Sequence, residues 1–264
     1  MTEISAAMVK ELRDATSAGM MDCKRALQET DGDFDAAVKL LRERGMAQAA
    51  KRAGRETTEG QVVAEADNGV GAIAAVGSET EPVSKNDEFR AFVRKVLETV
   101  KRGGDPSSLE EERAQLSGKL GENIQIVGAK RMEASDGESI SAYVHSPANK
   151  VGAMVKTKGG TPEAARSLAL HLTFARPTYG SRDEVPAELV EAEREILQNS
   201  DEVQSKPENV REKIVEGMLN KRFYAESVLT EQPWYRPDEA TGTVAQVLKD
   251  RGIELLDYAW YSVS

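Results

Sequence analysis

Two short strand-like runs, Gln61 to Ala66 and Val70 to Val76, meet across the turn Asp67-Asn68-Gly69. Asn-Gly accepts positive φ at both turn positions, so it joins antiparallel strands. A helical period takes over from about Ser84 to Arg102, with Phe89, Phe92, Val93 and Val96 on one face. Gly103-Gly104-Asp105-Pro106 ends it, and Leu109 to Leu120 reads as another helix. The order then partly returns. Ile124 to Met132, Ile140 to His145 and Val151 to Thr157 read as strands, with a turn at Ser146-Pro147-Ala148-Asn149. Thr161-Pro162-Glu163 opens a helix reaching about Ala175, with proline at the first helical position. Hairpin followed by helix thus occurs twice, which predicts an α+β fold with antiparallel sheets in two similar subdomains. The similarity lies in element order, since no tight sequence repeat is present.

The flanks are helical. Ser5 is placed to cap a helix carrying Ile4, Met8, Val9 and Leu12, and Thr16-Ser17-Ala18-Gly19 breaks it. Met20, Met21, Cys23, Ala26 and Leu27 mark a second helix. Asp31-Gly32-Asp33 turns into a third with Phe34, Ala37, Val38 and Leu41. From Met46 to Gly60 the composition predicts a short helical connector and then a flexible link. Further on, Val185, Leu189, Ala192 and Ile196 step as a short heptad stripe, interrupted at Asn199-Ser200. Val210, Ile214 and Met218 repeat the spacing after Pro207, which predicts a helical hairpin packed through those two stripes. The alternative to packing only within the hairpin is that its tip carries part of a partner contact or a self-association surface. A helix over Thr241 to Arg251 and a strand over Ile253 to Val263 close the reading. The expected division is a three-helix domain over 1–55 and core subdomains over 56–138 and 139–264. The hairpin, 184–228, is inserted in the second.

The chain has 264 residues and a formal net charge of −10, from 45 acidic against 35 basic residues. Non-specific nucleic-acid binding needs a basic surface, so direct contact with nucleic acid is not expected. Hydrophobic residues reach 39% of the chain, enough for aliphatic cores and against wholesale disorder. A single cysteine, Cys23, excludes an intramolecular disulfide framework, and its expected role is a small buried apolar one. The start MTEISAAMVK lacks a basic region followed by an apolar run, and no stretch approaches a membrane span. The expected location is cytoplasmic, with no membrane partner.

Motifs of covalent chemistry are missing. No GxxxxGK followed by Ser or Thr, no GxGxxG after a strand, no CxxC and no HExxH occurs, so no cofactor or metal is expected. His171 stands among Leu168, Leu170 and Leu172 and reads as a packing histidine, and Glu110-Glu111-Glu112 as a solvated helix face. An enzyme is not expected.

LRDATSAGMMDCKRAL, beginning at Leu12, resembles the N-terminal signature of elongation factor Ts, the translation factor that promotes nucleotide exchange on elongation factor Tu. IAAVGSETEPVSKNDEFRAF resembles the second signature of that family. VHSPANKVGAMV, KPENVREKIVEGMLNKRFYAESVLTEQPW and TVAQVLKDRGIELLDY resemble later family segments in order, so the resemblance spans essentially the whole chain. It implies a ubiquitin-associated-like three-helix domain, a two-subdomain core and a coiled-coil protrusion. The implied partner is elongation factor Tu, GDP-bound and nucleotide-free. The implied activity displaces Mg²⁺ and promotes GDP release so that GTP can bind.

The resemblance also implies the contact residues. Leu12, Met20 and Met21 face the partner's GTPase domain, and Thr80, Glu81, Pro82 and Val83 form the loop that wedges into it. His145 lies on the partner-facing side of the core. The family's usual Asp-Phe pair is Glu81-Pro82 here, which keeps the acid and replaces the ring by a small rigid apolar residue. Family members often continue into a further C-terminal helix, and this chain is expected to lack whatever contact it makes. The competing reading is an adaptor that binds other proteins through its three-helix module without exchange activity.

Overall fold

The computed structural model describes residues 3–16 and 18–263. Ser17, in the expected first break, and Ser264 lie outside the described residues. Three helices, α1 (Ala6–Thr16), α2 (Met20–Glu29) and α3 (Phe34–Arg52), open the chain. The Ser5 hydroxyl accepts the Met8 N–H at 3.2 Å, and the Asp33 carboxylate accepts that of Ala36 at 2.9 Å. Both caps satisfy donors that a helix start leaves unpaired. Val9, Leu12, Cys23, Ala26, Leu27 and Ala37 form the bundle core.

Helix α3 corrects the expected connector. It runs unbroken through Gly45 and Met46 to Arg52. An interior glycine costs a helix roughly 1 kcal/mol against alanine, and here tertiary packing overrides it. Helix α3 lies on a later helix, Glu110–Leu120, where Arg42 pairs with Glu111 and Arg52 donates to the Ser117 carbonyl at 3.4 Å. A Cβ added to Gly118 would stand 3.5 Å from the Gly45 Cα, so the Gly118 face of that helix lies against the α3 backbone.

The core begins with β1 (Glu59–Asp67) and β2 (Val70–Ser78), paired antiparallel with Asp67 opposite Val70. Asn68 and Gly69 take φ of 47° and 78°, the backbone that the Asn-Gly pair favours. A helical turn, α4 (Glu81–Ser84), precedes α5 (Asp87–Lys101) and α6 (Glu110–Leu120), and β3 (Gln125–Glu133) returns to pair with β2. The second unit repeats this plan. Strands β4 (Glu138–Val144) and β5 (Val151–Lys158) form a hairpin, and α7 (Pro162–Ala175) follows. After a helical excursion, α12 (Val244–Asp250) leads to β6 (Glu254–Ser262), which pairs with β5.

Side-chain alternation assembles the layers. Along β2, Ala72, Ala74 and Val76 meet Phe89, Phe92, Val93, Val96 and Leu97 of α5. The alternate residues, Ile73 and Ala75, join Val62, Met132, Met154 and Ala259 between the two sheets. On the far side, Ala153 and Val155 of β5 pack against Leu168, Leu172, Val247 and Leu248. The order is helix, sheet, sheet, helix. Glycine permits the close approach of the sheets: a Cβ on Gly71 would lie 2.6 Å from the Ile140 side chain, and one on Gly128 2.4 Å from the Tyr261 ring.

The excursion between α7 and α12 contains α8 (Ala187–Gln198), α9 (Asp201–Gln204), α10 (Glu208–Met218), a π-helical segment over Leu219–Tyr224, and α11 (Ala225–Ser227). Its core is Leu197, Val203, Val215, Met218 and Leu219, with Ile214 partly buried against it. This corrects the expected packing stripe on the first helix. Leu189 is 42% and Ile196 64% exposed, and Ala192 is exposed as well. Val185 is buried, but it precedes α8. Helix α8 carries two apolar lines, one through Val190 and Leu197 and one through Leu189, Ala192 and Ile196. Periodicity finds such lines without saying which of them meets a neighbour.

His171 of α7 closes the joint where the excursion re-enters the core. The Tyr235 N–H donates to its Nδ1 at 3.1 Å, so Nε2 carries the proton and donates to Gln232 Oε1 at 3.0 Å. Gln232 in turn donates to the carbonyls of Ala175 and Glu226. The imidazole stacks on Trp234 at 5.4 Å between centroids. Burial pushes the His171 pKa below its ordinary 6.5, against an opposing effect of the Gln232 bond. The unfolded chain therefore takes up a proton that the folded one resists. The stability this represents is complete above about pH 6.5 and is lost as the pH falls from there toward the folded-state pKa. Thermal melting at pH 7.5 and pH 5.5 is expected to show a lower midpoint at the acid value, with a smaller difference in His171→Gln.

Candidate partner-binding site

Thr80, Glu81, Pro82 and Val83 lie together, as an N-cap followed by the single helical turn α4, with Pro82 at its second position. Glu122, just beyond α6, holds this turn from across the chain. Its carboxylate accepts the N–H groups of Glu79 and Thr80, each at 3.0 Å, and the Thr80 hydroxyl. Glu79 accepts the Asn123 N–H at 2.6 Å and pairs with Arg55, and these contacts, the Asn123 bond foremost, hold its carboxyl below the usual range. Within the turn, the Ser84 hydroxyl donates to the Glu81 carbonyl at 2.8 Å, and Val83 packs on the α5 core. Thr80, Glu81 and Pro82 stay exposed. The result is a short, anchored projection with an acid and a rigid apolar ring at its outer edge. Lys85 pairs with Glu81 at 2.6 Å and, with a smaller effect from Lys150, lowers its pKa, so the acid is ionised at neutral pH.

Strand β1 couples this projection to the His145 turn. The Gln61 side chain donates to the Ser84 carbonyl at 3.0 Å, and the next N–H, of Val62, donates to the Asn149 carbonyl at 2.7 Å. Asn149 donates its own N–H to the His145 carbonyl at 2.9 Å, closing a turn with a cis Ser146-Pro147 bond. His145 is half-buried, with Nδ1 3.1 Å from the Tyr143 hydroxyl. Its ring meets Phe174 edge-on at 4.9 Å, and Phe174 stacks on Tyr235 at 4.5 Å. A row of rings, Tyr143, His145, Phe174 and Tyr235, thus extends from the turn. Phe174 and Tyr235 were not legible as site residues, because they come from α7 and from the segment before α12 and meet only in the fold.

The methionines stand apart from that row on the helical bundle. Met20 and Met21 are 58% and 64% exposed at the first two positions of α2. Adjacent helical residues diverge by about 100°, and the inward line of α2 is Cys23, Ala26 and Leu27. Met20 begins the helix, three positions before Cys23. Leu12, expected on the same surface, is fully buried among those inward residues in the free chain. The bundle and the projection share one support. Helix α6 carries α3 on its Gly118 face, and the residue two beyond its end is Glu122.

A cleft of about 400 Å³ opens between the α1–α2 turn, α3 and α6, lined by Gly19, Val38, Leu41, Arg42 and Lys119 among others. Its charged walls are already paired, Arg42 with Glu111 and Lys119 with Glu88. Among the described residues, no group of three or more His, Cys, Asp or Glu is arranged to hold a metal ion, and no helix is long and apolar enough to cross a membrane.

Known proteins resemble this chain over nearly its whole length. A family model described as Elongation factor TS matches residues 79–264, beginning at the anchored projection. Elongation factor Ts of Saccharopolyspora erythraea is 40% identical over 281 residues, covering 100% of this chain and 99% of the relative. Elongation factor Ts of Thioalkalivibrio sulfidiphilus is 39% identical over 275 residues, covering 98% and 92%. The chain belongs to the elongation factor Ts family. In Pseudomonas aeruginosa the family member is 37% identical over 273 residues, covering 100% of this chain and 92% of its own. The elongation factor Ts relatives cover the three-helix bundle as well as the core, so Met20 and Met21 lie within the shared length.

Proposed function

We propose that this chain is a guanine-nucleotide exchange factor of translation elongation, that it binds elongation factor Tu in both GDP-bound and nucleotide-free forms, and that it changes no covalent bond. The observation that carries this reading is the exposed Glu81-Pro82 edge on a turn anchored by Glu122, in a chain of the elongation factor Ts family. A GTPase of this kind holds GDP with backbone donors, Mg²⁺ and phosphate loops. An exchange factor accelerates release by binding the open, nucleotide-free conformation better than the closed one, and linkage then weakens the nucleotide by the same factor. The turn supplies that preference by entering beside the Mg²⁺ and phosphate loops, where its carboxylate and ring fit only the open form. Mg²⁺ leaves, GDP follows, and GTP loads. Met20 and Met21 fix the bundle on the GTPase domain as an adaptable apolar surface, and His145 lies in the same interface.

The same reading divides the chain into a three-helix domain over 1–55 and core subdomains over 56–138 and 139–264, with the 184–228 hairpin as an insertion. It places the protein in the cytoplasm. Its test is release of a fluorescent GDP analogue from elongation factor Tu on mixing with the chain. Acceleration is expected at stoichiometric concentration, and its absence would overturn the reading. Pro82→Ala is expected to slow exchange about tenfold, roughly 1.4 kcal/mol of lost discrimination. Alanine fits an exposed helical turn, so the melting midpoint should move by less than about 2 °C. Unchanged exchange in this variant would move the wedge away from Pro82.

A further inference from the structure

We propose that the outward face of α8 docks a basic amphipathic helix of a partner protein, at a site separate from the Thr80–Val83 projection and independent of the exchange reading. Leu189, Ala192 and Ile196 form an exposed apolar line about two turns long on a twelve-residue helix. Their spacing of three and four residues is that of a helix–helix seam. The hairpin leaves this line out of its own core, which it builds from Leu197, Val203, Val215, Met218 and Leu219. An apolar line of this length in water is a recognition feature when its surroundings specify an occupant, and here they do.

On the helical projection Glu188 and Glu195 border the line on one side and Glu193 on the other. Among the described residues, none of the three has an ion-pair partner, although Arg194 one position away is paired with Glu191 and Glu216. The face is an apolar stripe between unneutralised carboxylates. A second copy laid on it would set glutamates against glutamates at coiled-coil flanking positions, which opposes pairing. A helix with leucine-like residues at the same spacing and lysine or arginine beside them satisfies both the stripe and its borders.

The test uses the full chain and a fluorescein-labelled synthetic peptide of about four helical turns, with leucines at the i, i+3, i+4, i+7 spacing and lysines elsewhere. Saturable binding is expected by anisotropy, with none for the glutamate version of the peptide. Ile196→Asp, and separately the triple change E188Q/E193Q/E195Q, should each weaken binding at least tenfold. D35N/E43Q/E163Q removes the same charge elsewhere and should change it less than twofold. Circular dichroism should be unchanged, because every altered side chain lies outside the cores. Equal weakening by the control triple would reduce the effect to net charge and overturn the proposal. So would retained binding in Ile196→Asp, or sedimentation showing a dimer that Ile196→Asp dissociates.

Discussion

The double variant Met20→Asp/Met21→Asp is expected to weaken the complex with elongation factor Tu at least ~100-fold while leaving the fold intact. Both side chains are more than half exposed in the free chain, so they lend little to the bundle. They occupy the first two positions of α2, where an acidic residue interacts favourably with the helix N-terminus. Circular dichroism and melting should therefore stay close to the parent. In the proposed interface each methionine is buried on association, worth about 1.5–3 kcal/mol per side chain. Each aspartate would in addition bring a charge without a partner into that interface. The loss exceeds ~2.8 kcal/mol, which is two decades of affinity. Titration calorimetry with nucleotide-free elongation factor Tu measures it directly. Affinity within threefold of the parent would remove these residues from the interface.

Glu122→Ala carries the second large effect, because it acts on the projection without touching its exposed edge. The substitution deletes the acceptor of the Glu79 and Thr80 N–H groups and of the Thr80 hydroxyl. A hydrogen bond to a charged group contributes roughly 1.5–3 kcal/mol, toward the low end where water competes. Thr80 is exposed, so water satisfies part of what is lost, and a global destabilisation of about 1–2 kcal/mol is expected. The turn itself loses its direct tether to Glu122 and keeps the Gln61 bond, the Ser78 bond, the Val83 packing and, through the neighbouring Glu79, the bond to Asn123. Exchange should slow at least ~10-fold in fully folded protein, since an edge that must be ordered on binding forfeits its preorganisation. Glu122→Gln retains one acceptor oxygen and should fall between the two. An exchange rate that drops only with the folded fraction would reduce Glu122 to a stabilising residue.

Local signals account for what was legible in advance. The Asp67-Asn68-Gly69 turn, the caps at Ser5, Asp33 and Thr161, and the proline at the start of α7 all act within a few residues of themselves. Each is decided by backbone geometry that neighbouring side chains dictate. The order of elements follows, and so does the repeated hairpin-and-helix plan. Thr80 to Val83 is singled out differently, by resemblance to the family's second signature, since local signals alone mark only a connection between strand and helix.

The departures share one physical origin. The segment from Met46 reads locally as a separate short connector, and it continues α3 to Arg52, packed on α6 through Arg42–Glu111 and the Arg52 bond to Ser117. The line Leu189, Ala192, Ile196 has the spacing of a packed seam, and the parallel line through Leu197 takes that place. Burial is a property of pairs of surfaces, so a period in one strand of text leaves it open.

The sequence by itself determined the elements, their order and the two-unit plan, because short-range backbone preferences and side-chain periods act within a few positions. Only the tertiary structure decided that Glu122 tethers Thr80, that β1 joins that turn to His145, and that one face of α8 is left to solvent. Those outcomes depend on side chains tens of residues apart reaching hydrogen-bond or packing distance, which the folded layers alone bring about.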